Sequence, residues 1–235
     1  MQKFMVGVVS AMAVLGLGSA ADAQNYFSGP APIWAGPYAG VEGGFGWGAS
    51  RHTDATPFDS GSFTTTGGLV GGTVGYNWQL PAPLVLGTEA DLSWANIGGS
   101  TTGTSGFGGP CGGAIPNCTT RLDALGTARA RLGYELGQLM PYATGGLAFG
   151  DVKGSEGDIL ANGPVGSGSS WRAGWTIGAG VEGMFAPNWT AKAEYLHVDL
   201  GNEASFANTF PGGATATQNV SVRTNIIRFG LNYKF

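Results

Sequence analysis

Eight stretches of this chain alternate apolar and polar residues at period two, and the segments joining them are alternately short and long. The final stretch, NIIRFGLNYKF, shows the pattern most clearly. Ile227, Phe229, Leu231, Tyr233 and Phe235 share one face, while Arg228, Gly230, Asn232 and Lys234 share the other. Strict alternation over many residues marks strands with two unlike faces. The same pattern recurs around 38–47, 68–78, 84–95, 121–136, 140–151, 171–185, 189–200 and, with the terminus, 220–235. Segments 80–83, 137–139 and 186–188 connect strands tightly, whereas 49–67, 97–120, 152–170 and 201–219 are long and polar. Strand pairs with short turns at one end and long loops at the other, in an even number, are the pattern of a transmembrane barrel.

The two faces indicate what surrounds them. A soluble sheet buries its apolar face and exposes its charges. Here mid-strand charges share a phase with Gly, Thr and Ser. Aromatics of the opposite phase gather near strand ends: Phe45, Trp47, Trp78, Trp94, Tyr134, Phe149, Trp175, Phe185, Trp189, Tyr195, Tyr233 and Phe235. Such residues form interfacial girdles, so the apolar phase faces lipid and the charged phase faces inward. An open sheet edge in hydrocarbon would leave N–H and C=O groups unpaired at several kcal/mol each, so the sheet must close. The expectation is an all-β, eight-stranded antiparallel up-and-down transmembrane β-barrel with four long outer loops and three short periplasmic turns. The last strand closes it by pairing with the first.

An eight-stranded barrel has a bore that side chains fill. By phase this one holds Glu42, Glu89, Asp91, Arg129, Arg131, Arg172, Glu182, Lys192, Glu194 and Arg228, five acids and five bases. Unpaired buried charge is costly, which favours paired networks over an open pore. Gly71, Gly75, Gly178 and Gly180 leave a narrow gated polar channel as the alternative, although close packing and strand bending explain the same glycines. Lys234, near the turn-side rim, is expected to reach periplasmic water.

The opposite end of the chain reads as a leader. Lys3 precedes an apolar run from Phe4 to Ala21, then Ala21-Asp22-Ala23, the parts of a secretory signal peptide cut between Ala23 and Gln24. An uncleaved helix is the rival reading, but the Gly and Ala content and the small-x-small site favour removal. The expected organisation is a signal peptide over 1–23, an N-terminal periplasmic segment over 24–34 and the barrel over 35–235. A net charge of -4 gives no basic footprint for nucleic acid. Cys111 and Cys118, the two cysteines of CGGAIPNC in an exported chain, are most simply a disulfide, and a metal site needs more ligands than this stretch offers.

Three stretches also carry a family resemblance: WAGPYAGVEGGFGWG (34–48), AEYLHVDLG (193–201) and GLNYKF (230–235). Together they resemble the small outer-membrane β-barrel proteins of α-proteobacteria, a porin-like family of surface antigens and hemin-binding proteins with OmpA-like and OmpX-like architecture. The resemblance implies residence in the outer membrane of a Gram-negative bacterium, among its lipids and lipopolysaccharide. It also implies delivery by periplasmic chaperones and the barrel-assembly machinery, with Tyr233 and Phe235 as the assembly signal. Where relatives carry an aromatic in the EYL-x-VDLG stretch, this chain has His197.

Function is read as structural or surface-exposed, with at most a narrow porin-like channel. The alternative is a hemin- or ligand-binding receptor or adhesin, with His52, placed in the first long loop, or His197 as axial ligand. A lipid-modifying enzyme and a secreted β-sandwich rank lower. The chain lacks Gly-x-Ser-x-Gly in a strand-turn-helix context and His-Glu-x-x-His, so no enzyme, no catalytic or metal residues and no cofactor other than hemin are expected. The strand pattern sets no oligomeric state.

Overall fold

The computed structural model describes residues 33–53, 59–81, 83–102, 116–158, 163–209 and 215–235. The expected cleavage site at Ala23 and Gln24, and Cys111, fall outside them. The strands are β1 (Gly36–Thr53), β2 (Asp59–Gln79), β3 (Leu84–Thr102), β4 (Pro116–Tyr134), β5 (Leu139–Asp158), β6 (Gly163–Ala186), β7 (Trp189–Thr209) and β8 (Thr215–Lys234). They form one closed antiparallel barrel in chain order, as the alternation requires. The seam is continuous: Tyr38 faces Lys234, Glu42 faces Gly230, and pairing runs on to Thr53 opposite Asn219. The Phe235 N–H then donates to the Pro37 carbonyl at 3.1 Å, so the terminal residue is itself in the ladder.

The turn side is tight. Ala186 pairs with Trp189 across Pro187-Asn188, and Asn188 takes the left-handed conformation at φ 68° while its amide donates to the Lys234 carbonyl at 2.7 Å. Asn tolerates that region better than other non-glycine residues, which suits it to a two-residue hairpin. Gly137, at φ 67°, turns the β4–β5 connection in the same way.

The outer side differs from expectation. Much of the polar sequence assigned to long loops is strand, because β1–β2, β3–β4, β5–β6 and β7–β8 keep pairing outward. Strands of 18 to 24 residues are about twice what a bilayer needs, roughly 9–11 residues. His52, expected in a loop, lies on β1 with its side chain fully buried.

Side-chain parity is constant along most strands, but its chemistry inverts partway. Along β8, Ile227, Phe229 and Leu231 point out and Arg228 and Asn232 point in; beyond Ile226 the inward residues are Val222 and Val220, and Arg223 points out. Along β7, Lys192 and Glu194 point in, then Leu196, Val198 and Leu200 do, while Asp199 turns outward. Lipid outside demands apolar residues outside; water outside demands them inside. The inversion at Tyr195/Leu196 and Ile226/Ile227 therefore marks where the barrel leaves the membrane.

On β4 a bulge reinforces the switch. Leu122 pairs with Val152 and Ala124 with Asp151, leaving Asp123 as the extra residue. A bulge residue re-aims its neighbours. Leu122, in the apolar phase of the 121–136 stretch, is buried, and Asp123, in its polar phase, lies on the outer wall against Arg121 at 2.6 Å and Lys153 at 2.5 Å. The Lys153 ammonium, bonded to Asp123, holds that carboxyl below the ordinary range.

Candidate functional site

The central lumen is built by inward residues of six strands: Glu42 on β1, Glu89 and Asp91 on β3, Arg129 and Arg131 on β4, Glu182 on β6, Lys192 and Glu194 on β7, and Arg228 on β8. All are buried, and they form one connected set. Arg129 donates to Glu89, to Glu194 at 2.8 Å and to Asp91 at 3.1 Å. Arg228 donates to Glu42, to Glu194 at 2.6 Å and to Asp91 at 3.1 Å. Lys192 lies 3.0 Å from Glu89 and 3.4 Å from Glu42. Arg131 sits 2.5 Å from Glu182 and 3.5 Å from Glu89, with its guanidinium 4.1 Å from the centroid of the Tyr142 ring.

Neutral donors take up further acceptor capacity. Tyr38 donates to Glu89 at 2.8 Å, Tyr142 to Glu194 at 3.1 Å, Thr127 to Asp91 at 2.5 Å, and Thr190 and Asn232 to Glu182 at 2.5 and 3.0 Å. These bonds offset much of the cost of the ionic layer, since buried ions each cost several kcal/mol unless paired and hydrogen-bonded. Among the described residues, however, Asp91 Oδ1 accepts and Arg131 Nε donates no hydrogen bond within the protein. The Arg129–Glu194 contact joins β4 to β7 across the bore, since β5 and β6 stand between them around the wall.

Nine of the ten residues expected in the charge network are brought together. Arg172 is buried too, but apart from the others: it donates to the Val220 carbonyl and, at 3.4 Å, to the Ser170 hydroxyl. It lies on the outer extension of β6, so phase placed it inside correctly while its height along the strand separated it.

Two apolar layers enclose the charges, and neither follows from the two-solvent alternation. Toward the periplasm, Trp34 is fully buried against Val85, Met140 and Met184, and its indole donates to the Gly137 carbonyl at 3.0 Å. Trp34 belongs to the barrel, whose compact unit begins at Ile33, two residues before the expected boundary. Lys234 is buried in the same floor and donates to the Ile33 carbonyl, so it does not extend into periplasmic water. Toward the exterior, Ile97, Leu122, Leu125, Val152, Leu196, Val198, Leu200, Val220, Val222 and Ile226 form one cluster across the bore. Above it, His52 meets the Thr120 hydroxyl at 2.7 Å and the Phe63 ring at 5.6 Å, and Phe63 packs on Cys118, a buried disulfide-bonded cysteine.

The glycines that left room for a channel are covered. A Cβ on Gly75 would overlap the Tyr38 ring, and one on Gly180 would fall 2.7 Å from that of Tyr142. The hydroxyl end of each tyrosine ring packs against a glycine and still reaches the charge network, a close approach that only glycine permits. The signal for the outer plug was present in LHVDL, where apolar residues occupy the phase that carries Lys192 and Glu194 earlier in the same strand.

On the outer wall, Trp189, Tyr233 and Phe235 meet edge to face at the turn side, with successive ring centroids 5.2 and 5.3 Å apart. At the other boundary Trp47 lies 6.4 Å from Tyr195, and Trp175 lies 5.5 Å from His197, whose ring nitrogen meets Asn225 at 2.9 Å. His197 takes an aromatic's place in the outer girdle.

Comparison with known proteins agrees with this architecture. The family model described as outer membrane protein beta-barrel domain matches residues 10–235. The 31 kDa outer-membrane immunogenic protein of Brucella melitensis is 39% identical over 224 residues, covering 86% of this chain and 84% of that protein. The 25 kDa outer-membrane immunogenic protein of Brucella abortus is 31% identical, with 88% and 84% covered. Among solved structures, the outer membrane protease OmpT of Escherichia coli aligns with a TM-score of 0.52 at 11% identity, over 88% of this chain and 99% of that one, a likeness of fold alone. Barrel closure, the girdles and these relatives place the chain in the outer membrane of a Gram-negative bacterium, and it belongs to the outer membrane protein β-barrel family.

Proposed function

We propose that the protein is a closed, non-catalytic structural barrel of the cell surface rather than a solute channel. The observation that carries this reading is the order of layers along the bore: the Trp34 floor, the charge network and the apolar cluster from Leu69 to Ile226. An ion entering would have to part buried ion pairs and then cross a stretch lined by aliphatic side chains. Neither step is compensated by water.

The same layers suit a scaffold. Closely paired charges fix register, because a one-residue slip would turn every inward Arg and Lys toward lipid. That costs about 2–4 kcal/mol for each such residue at mid-membrane. The strand extensions then raise the outer ends of the sheet beyond the headgroups as a stiff, apolar-cored stalk. Both histidines have structural partners, which supports a barrel without a hemin ligand. The partners it implies are outer-membrane lipid and lipopolysaccharide around the wall, and the assembly machinery at the Tyr233–Phe235 end. Liposome swelling with small sugars and amino acids tests the reading: no uptake above protein-free vesicles is expected, and size-dependent swelling would refute it.

A further inference from the structure

Beyond the outer girdle of Trp47, Trp94, Phe149, Trp175 and Tyr195, the large apolar residues of the wall turn inward to the cluster around Leu196 and Val222. Trp171 on β6 departs from that rule. It is 64% exposed, and among the described residues it is the one large apolar side chain exposed beyond this girdle. It lies four positions past Trp175 on the same strand. At about 3.3 Å per residue and a tilt near 40°, that is roughly 10 Å above the girdle. Girdle rings sit at headgroup level, so Trp171 stands past the lipid phosphates, at the height of glycolipid sugars.

Register gives it neighbours. Trp171 faces Asp151, Ser169 faces Lys153 and Ser167 faces Ser155 across β6 and β5. Lys153 and Ser155 in turn face Arg121 and Thr119 on β4. The outward side is therefore a grid with an aromatic corner, a charged middle row and a row of hydroxyls. Three strands by five residues measure about 10 by 13 Å. The charged row and the hydroxyl row line a cleft of about 420 Å³. The other flank of Trp171 has no ladder neighbour: β6 pairs with β5 as far as Gly163, but with β7 only to Trp175 opposite Asp199. Just beyond, β7 turns through Gly201 at φ 73°, and its register with β8 shifts between Asp199 and Asn202.

The chemistry of the grid selects its ligand. Asp123 holds both cations, at 2.6 Å from Arg121 and 2.5 Å from Lys153, and the charge of Asp151 also acts on Lys153. Two bases against two acids leave no surplus charge to attract an anion. They offer donors and acceptors fixed by one another, which suits hydroxyl groups that both give and take hydrogen bonds. A pyranose ring also has a face of C–H bonds, which an exposed indole covers and removes from water. A few placed polar groups beside an apolar surface are what a small-ligand site requires.

We propose that this grid binds a neutral pyranose of an oligosaccharide, stacked on Trp171 and hydrogen-bonded by Lys153, Arg121 and the Ser and Thr hydroxyls. The inference rests on the outer-membrane placement of the chain, which fractionation and heat-dependent gel mobility check separately for every variant. The full barrel in nanodiscs is titrated with two probes, dephosphorylated lipopolysaccharide core oligosaccharide and maltoheptaose, and read by saturation-transfer difference NMR. Saturable transfer to the C–H protons of a pyranose ring is expected for at least one probe. The tighter binder identifies the source: the surrounding glycolipid for the core oligosaccharide, a free glucan for maltoheptaose. Affinity should fall at least tenfold in Trp171→Ala and at least threefold in Lys153→Ala, whereas Arg223→Gln, across the barrel, should bind as wild type does. Transfer to neither probe at millimolar concentration, affinity within twofold of wild type in Trp171→Ala, or displacement of the bound sugar by millimolar inorganic phosphate would overturn the proposal.

Discussion

Arg228→Met probes the interior most sharply. The guanidinium is buried and touches Glu42, Asp91 and Glu194. Methionine fills similar volume without charge, so the change isolates the ionic contribution. After it, Glu42 keeps Lys192 at 3.4 Å, Asp91 keeps Arg129 and Thr127, and Glu194 keeps Arg129 and Tyr142. One positive charge is gone from among three carboxylates that cannot reach water. Removing one partner of a buried ion pair costs about 3–5 kcal/mol, because the charge left behind stays desolvated. At 1.36 kcal/mol per decade, that is about 150-fold to several thousand-fold in the folded-to-unfolded ratio.

The comparison variant is Arg223→Gln, which removes an exposed guanidinium from Asp199 on the outer wall and should cost under about 1 kcal/mol. Urea unfolding in lipid vesicles, followed by tryptophan fluorescence, measures both. A loss below about 1 kcal/mol for Arg228→Met would refute the reasoning, since it would mean water reaches the stranded carboxylates and the lumen is wet.

Other expectations follow from the remaining layers. Trp34→Ala should cost about 3–5 kcal/mol by the same unfolding assay, because it empties the floor between Val85 and Met140 and strands the Gly137 carbonyl. Gly180→Val should lower stability by at least about 1 kcal/mol, since its side chain must displace the Tyr142 ring and its bond to Glu194. Asp123 should titrate below the ordinary aspartate range by carbon-detected NMR and move up toward it in Lys153→Ala, with Arg121 still holding it down in part. Because the folded pKa is the lower one, the pair's small contribution is present above the unfolded pKa and fades as pH falls through the folded value. Phe235→Ser should reduce the amount of barrel recovered in the outer membrane relative to wild type in a pulse-labelled fractionation.

The membrane-embedded half was legible because a strand between two unlike environments writes both into its parity. Lys192 and Glu194 against Ala191 and Tyr195 needed no further information, and the closing pair β8–β1 followed from the cost of an edge in hydrocarbon. The outer half was less legible because parity there is preserved while its meaning reverses. Leu196, Val198 and Leu200 occupy the same phase as Lys192, and only the reversed chemistry of His197 and Asp199 marks the exit from lipid. Long polar segments read as loops because Gly, Ser and Thr are common to loops and to strands exposed to water. The bulge at Asp123 was hidden for a different reason: two partner strands set it, and one strand's sequence does not carry their register. Arg172 shows the last limit, since phase gives the side a residue faces but not its height in the bore.

The central claim is that three successive layers of side chains fill the lumen. Single-channel recording in planar bilayers tests it most directly, with the purified wild-type barrel at high load in molar potassium chloride across both voltage signs. Baseline current without discrete openings is the result the filled lumen predicts. Reproducible ohmic steps from the folded, heat-modifiable form would contradict it.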